Sequence, residues 1–293
     1  MMATVKHDSL NATFHGIVRG SVAQFRGIKY GRVPERFAAP EAVDGWDGKE
    51  VDAKQYGPKC PQQYFDVGHL LRLPEEVEVP RDEEDEFECL NLDVTIPAIA
   101  DKRNGLLPVM VWIHDTSKMV EDSIKQSKPI VVVAMQYRLN IFAFGDGKGP
   151  KNLALKDQRL AIEWENVTIA GESAGAVYAH AHVVQNAPAK RAILMSGTLE
   201  MSPPRPLSQE GTIVAPLEAK LASVGSSLRT ASAAEIIKAL AEVNLVSMWI
   251  QQDPDEPDLS DWTKTGQVES LLIGDVEYEV RTRQKFGAQR EPH

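Results

Sequence analysis

The stretch Val167-Thr-Ile-Ala-Gly-Glu-Ser-Ala-Gly-Ala176 decides how the rest of the chain is read. A β-branched run leads into Gly171, Glu172, Ser173, Ala174 and Gly175, and the alanine-rich segment that follows, to Val184, has helical character. A serine on a tight strand-to-helix turn presents its hydroxyl outward, and flanking glycines keep side chains out of the crowded turn. The next amide, that of Ala174, then stands at the positive end of a helix, where it can donate to a developing oxyanion. GxSxG by itself is a weak signal, since glycine and serine are common. The strand before it and the helix after it are what make Ser173 a candidate nucleophile.

Outward from this turn, the apolar runs are those of a covered sheet. Leu92–Ile96, Val109–Ile113 and Ile130–Met135 precede it and Arg191–Ser196 follows it, with Val268–Ile273 as a further strand. Continuous Val/Ile runs separated by helical stretches predict an α/β fold with a mainly parallel central sheet and helices on both faces. Helices are predicted at Lys118–Gln126, Leu153–Trp164 and Leu217–Val224, and Ser232-Ala-Ala-Glu235 is a capping-box signature opening another. Residues 13–30 read as an antiparallel edge hairpin. From Gly31 to about Arg81 the chain is irregular, with Trp46 and Tyr56 as packing anchors, and the acidic run Glu75 to Glu88 reads as a solvated loop.

A chain of 293 residues, 43% hydrophobic and 25% charged, is large enough for a substantial core and is expected to form a single domain over 1–293. The net charge of −10 argues against nucleic-acid binding, which needs clustered Lys and Arg. No apolar stretch approaches the roughly 20 residues of a membrane-spanning helix, and the N-terminus lacks the apolar core of a signal peptide, so a soluble, cytoplasmic protein is expected. Cys60 and Cys89 sit among polar residues; bridged, they would close a loop containing Glu83-Glu-Asp-Glu86, and in a reducing compartment they would remain thiols. No CxxC or HExxH spacing marks a metal site.

Several motifs together resemble the type-B carboxylesterases, the cholinesterase-like branch of the α/β-hydrolases, and most of all their fungal members. They are Phe25-Arg-Gly-Ile-Lys-Tyr30, Cys60-Pro-Gln62, Glu88-Cys-Leu-Asn-Leu92, Pro108-Val-Met-Val-Trp-Ile-His114, Tyr137-Arg-Leu-Asn140, Asn152-Leu-Ala-Leu-Lys-Asp-Gln-Arg159, Gly171–Ala176 and Ala192-Ile-Leu-Met-Ser-Gly197. The resemblance runs from Gly16 to about Glu279 and implies an α/β-hydrolase fold and hydrolysis of a small-molecule carboxylic ester through a serine acyl-enzyme, with no cofactor or metal. It implies Ser173 as nucleophile, Glu279 as the triad acid, with Glu277 and Asp275 as nearby competitors, and Cys60–Cys89 as a disulfide pair.

The sequence departs from the family pattern in three places. The glycine run expected after the strand ending at His114 is replaced by His114-Asp-Thr-Ser-Lys118. Trp164-Glu-Asn-Val167 joins helix to strand almost directly, where the family has a longer helix and a glycine-containing turn. The chain also ends soon after Glu279, before the region that carries the family's histidine, so the C-terminal part of the fold is expected to be missing. No histidine is assigned as base. His293 is terminal, His114 is at a strand end, and His180 lies seven residues beyond Ser173, about 10 Å along a helix; His182 lies further along that helix. Two alternatives therefore stand beside the esterase: a non-catalytic binding protein of the same fold, and an incomplete gene product. Substrate and oligomeric state are left open.

Overall fold

The computed structural model describes residues 1–8, 10–43, 45–46, 48–64, 74, 82–98, 106–112, 117–162, 167–260 and 268–275. Twelve strands are described: β1 (Met2–His7), β2 (Ala12–Arg19), β3 (Val22–Lys29), β4 (Gly31–Arg32), β5 (Glu41–Ala42), β6 (Glu50–Asp52), β7 (Asn91–Pro97), β8 (Val109–Trp112), β9 (Val131–Met135), β10 (Val167–Glu172), β11 (Ala189–Met195) and β12 (Ser270–Gly274). The helices are α1 (Ser117–Lys125), α2 (Asn140–Phe144), α3 (Leu153–Ile162), α4 (Ala174–Val184), α5 (Gly211–Ala222) and α6 (Ala233–Glu242). The main sheet runs β1-β2-β3-β7-β9-β8-β10-β11-β12, with β6 pairing β2, while β4 and β5 form a separate pair.

This sheet is mixed. From β9 through β8, β10 and β11 to β12 every pairing is parallel; from β1 through β2 and β3 to β7, and from β7 to β9, every pairing is antiparallel. The expected parallel order thus holds for one half. The other half is antiparallel, a direction the residues do not announce, since an apolar run such as Leu92–Ile96 reads the same either way. The hairpin of residues 13–30 forms as β2 and β3, but β1 pairs along β2 and takes the edge position from it.

Alternation of side chains shows why both faces are covered. Val111, Val133 and Ile169 pack with Ala161 and Ile162 of α3 and Ala176, Ala179 and Val183 of α4. Their neighbours Trp112, Val132 and Ala170 point the other way and pack with Val120 of α1. A third cluster joins Phe37, Leu90, Ile141, Phe142 and Leu153 to α5 and α6. In α6 the expected capping box is present: Ser232 Oγ accepts from the Glu235 N–H, and the Glu235 carboxylate accepts from the Ser232 N–H. Helix α5 starts earlier than expected, running through Pro216 from Gly211. Among the described residues no helix is long and apolar enough to cross a membrane.

Three local expectations need correction. Trp46 packs on Phe14 with ring centroids 5.6 Å apart, but Tyr56 is half exposed and carries the Arg26 guanidinium 4.1 Å above its ring. Glu86 is not solvated: it is buried and bonded by both arms of Arg36, whose remaining nitrogen donates to the Leu228 and Ala231 carbonyls. Cys60 and Cys89 lie in the cluster with Phe37 and Leu90, not among polar groups. Helix α3 is described from Leu153 to Ile162, and the last two residues expected for it lie outside the described residues.

One charge pair lies deeper than the rest. Arg138, just beyond β9, is 1% exposed and Asp157 of α3 is fully buried. The guanidinium donates from Nε and an Nη to the two carboxylate oxygens at 2.9 and 2.6 Å, and the Arg138 backbone N–H adds a third bond at 3.1 Å. The other Nη donates to the Ala38 carbonyl at 2.7 Å. Removing one partner strands the other charge in the core, so Asp157→Ala is expected to lose about 3–5 kcal/mol of unfolding free energy in urea titration. The double replacement Arg138→Met with Asp157→Leu is expected to lie closer to the wild type than the single change does. Equal losses would refute this account of the pair.

Candidate functional site

The strand-to-helix turn predicted around Ser173 is present where β10 passes into α4. Ser173 holds φ +53° and ψ −119°, a left-handed conformation that L-residues rarely adopt and that persists only where the surroundings enforce it. Two glycines make room for it by having no side chain. A Cβ on Gly171 would come closer than 3.0 Å to the Gly175 backbone, and one on Gly197 would come equally close to the Ser173 carbonyl oxygen. The Ser173 N–H donates to Met195 O at 2.8 Å, which ties the turn to β11.

The ladder of α4 begins with the Ala176 and Val177 N–H groups, both donating to the Ser173 carbonyl at 3.0 and 3.2 Å. The Ala174 amide precedes that ladder, at the helix end where the dipole favours negative charge. Glu172, Ser173 and Ala174 are all exposed. The turn stands at the C-terminal ends of the parallel strands, where open α/β sheets place their ligands. Two strands over, Ser196 donates its N–H to Gly274 O at 2.8 Å, and Asp275 follows at the end of β12. The C-terminal end of β12 therefore lies on the same side of the sheet as Ser173. Glu279 and Glu277 themselves lie outside the described residues, as do His114 and His293.

His180 and His182 turn into the core. His180 accepts the Leu199 N–H on Nδ1 at 3.1 Å, and His182 Nε2 bonds Gln158 Oε1 at 2.8 Å. Burial pushes the His182 imidazole down to about 3 and lowers His180 as well. Tyr137 and Tyr178 face each other edge-on with centroids 5.7 Å apart, and burial raises both, Tyr178 to about 12, so neither hydroxyl is an ionised base at neutral pH.

Alongside α4 opens a cavity of ≈ 290 Å³ that sequence reasoning missed. Its lining includes Ala174 and Tyr178, one helical turn apart, together with Tyr137, Phe144, Met248 and Trp249. Residues 245–250 have no regular structure and no motif, and they reach the elbow only through tertiary packing. Cys60 and Cys89 are buried free thiols, with the Cys60 thiol held well above its usual range by burial and by the neighbouring Cys89. Among the described residues no set of three His, Cys, Asp or Glu side chains is placed to hold a metal ion.

Elbow, parallel strand ends and packed helices define an α/β-hydrolase. Comparison with known proteins agrees: the carboxylesterase family profile matches residues 10–255, and the chain belongs to that family. Lipase 3 of Yarrowia lipolytica is 32% identical over 92% of this chain. The inactive carboxylesterase-like protein VdtD of Byssochlamys spectabilis is 32% identical over 64% of this chain and 37% of its own length. A solved PNB esterase structure superposes with a TM-score of 0.69 at 29% identity, covering 90% of this chain and 61% of its own. The chain spans 62% of the length of Lipase 3, and that alignment runs to 315 positions, more than the 293 residues here. The relative thus carries residues inside the matched span that this chain lacks.

The buried His182 makes a pH prediction. Its folded value, about 3, lies below the ordinary 6.5, so the unfolded chain binds a proton that the folded one refuses. Stability is therefore expected to fall as pH drops from about 6.5 toward about 3, and His182→Gln is expected to flatten that slope in denaturant titrations at stepped pH. An unchanged slope in the variant would remove His182 as the source.

Proposed function

We propose that the chain is a carboxylic ester hydrolase working through an acyl-enzyme on Ser173. The observation that carries this reading is the enforced posture of Ser173, with the Ala174 amide left outside the helix ladder beside it. Ser173 Oγ attacks the acyl carbon as its proton passes to a base. The Ala174 N–H and the α4 dipole stabilise the oxyanion, and its collapse expels the alcohol. Water then attacks the acyl-enzyme and releases the acid. By family resemblance Glu279 orients the base; no histidine is assigned to that role. Small-molecule carboxylic esters are the substrates.

A second reading, a non-catalytic binding protein of the same fold, is favoured by one observation: His180 and His182, the histidines nearest to Ser173 in sequence, are bonded into the core. A relative described as inactive is of the same family. A serine elbow without its histidine retains about 10³- to 10⁴-fold acceleration over water where the remaining site is intact, far below a full triad.

The two readings separate with a fluorophosphonate probe read by intact mass. The esterase reading expects one adduct on the wild-type chain, placed on Ser173 by peptide mapping and absent from Ser173→Ala. A chain folded by circular dichroism that takes no label would establish the binding protein instead.

A further inference from the structure

We propose that Asn11 carries an N-linked glycan, and that this sugar covers the open edge of the sheet at β1 and the apolar hollow beside it. Neither part depends on whether Ser173 reacts.

The acceptor is Asn11-Ala12-Thr13, an asparagine two residues before a threonine with no proline between them. The structure puts it where a large polar group can stand. Asn11 is exposed in the turn between β1 and β2, at φ +45°, a left-handed conformation that asparagine tolerates better than most residues. Backbone bonds hold the turn: the Asn11 N–H donates to Asp8 O at 3.1 Å, and the Asn11 carbonyl accepts from the Gly48 N–H at 2.8 Å. The chain has a second triplet of this kind, Asn166-Val167-Thr168, and it runs into β10. There Val167 is buried, and Thr168 pairs with Met110 of β8 on one side and Arg191 of β11 on the other. A sugar fits the first triplet and not the second.

What stands beside the turn gives the glycan something to cover. β1 is the end strand of the main sheet and among the described residues pairs only with β2, so the backbone groups on its outer side are a template for another strand. Met2 and Val5 on this strand are exposed. Beside it opens a hollow of ≈ 610 Å³, whose lining includes Val5, Leu10, Phe14 and Trp46. Leu10 directly precedes Asn11, and Trp46 lies two residues before the Gly48 that bonds the turn. A sugar rooted here has to be stripped of water before another chain can approach either surface, and burying polar groups without new partners is costly.

The linkage forms by substitution at carbon. The Asn11 carboxamide nitrogen attacks the anomeric carbon of an oligosaccharide held on a lipid diphosphate. A carbon–nitrogen bond forms, the carbon–oxygen bond to the diphosphate breaks, the lipid diphosphate leaves with the electron pair, and the nitrogen gives up one proton. The Thr13 hydroxyl is the second group of the acceptor that the transferase reads. The proposal thus takes the chain through the secretory pathway, against the cytoplasmic expectation drawn from its N-terminus.

The chain purified from its own cells is treated with an N-glycosidase and mapped by peptide mass. A glycan on the peptide that holds Asn11, released with conversion of that side chain to a carboxylate, is the expected result; an unmodified Asn11 would overturn the proposal. Made through the yeast secretory pathway, wild type and Thr13→Ser are expected to carry the sugar, while Thr13→Ala and Asn11→Asp are expected to lack it. Sugar retained in Thr13→Ala would refute the assignment. Covering is read on one folded sample by sedimentation and by anilinonaphthalene sulfonate fluorescence, before and after enzymatic removal of the sugar, so no variant has to fold. The stripped chain is expected to shift to larger species and to bind more dye. Unchanged sedimentation and fluorescence would overturn the covering role.

Discussion

The pairing of Arg138 with Asp157 is the constraint on which the site depends. One carboxylate receives three bonds from a single residue, and the same guanidinium reaches Ala38 in the N-terminal region. Burial raises the Asp157 carboxyl against the pull of the guanidinium. What it positions is the turn after β9, from which Tyr137, Leu139 and Asn140 form a wall of the cavity, and helix α3, after which the chain passes within a few residues into β10 and the elbow. Tyr30 supports the same turn through its hydroxyl, which donates to Gln136 O at 2.7 Å.

The elbow is held by different means. Ser173 is held without charge: close backbone packing at Gly171 and Gly197, which only a missing side chain allows, and one backbone bond to β11 accompany its posture. Sterics of this kind need only the local strands and the helix behind them, all of which are in place. The cavity is built differently again: residues 245–251, after α6, are tied to Gln63 and Asn152 by side-chain bonds, and join residues from the turn after β9 and from α4 in its lining.

Much of this was legible in the residues. Ser173 and Ala174 were readable because strand, glycine turn and alanine-rich helix are local patterns, and Ser232 with Glu235 announced α6 for the same reason. Strand direction was not legible: hydrophobic alternation records burial, and Leu92–Ile96 would look the same parallel or antiparallel. Nor was the state of His180, His182, Cys60 and Glu86, since each is settled by a partner distant in sequence, namely Leu199, Gln158, Cys89 and Arg36. The family resemblance supplied Glu279, which no local pattern distinguishes from Glu277 or Asp275.

Because the posture of Ser173 is enforced by backbone packing, it does not depend on the reaction it serves. Losing a proton acceptor would leave the backbone strain at Ser173 unchanged, and the glycines around it would still be required by the packing. Motif persistence in such a family is thus a record of architecture, and gain or loss of chemistry can pass across it during descent without leaving a trace in the elbow itself.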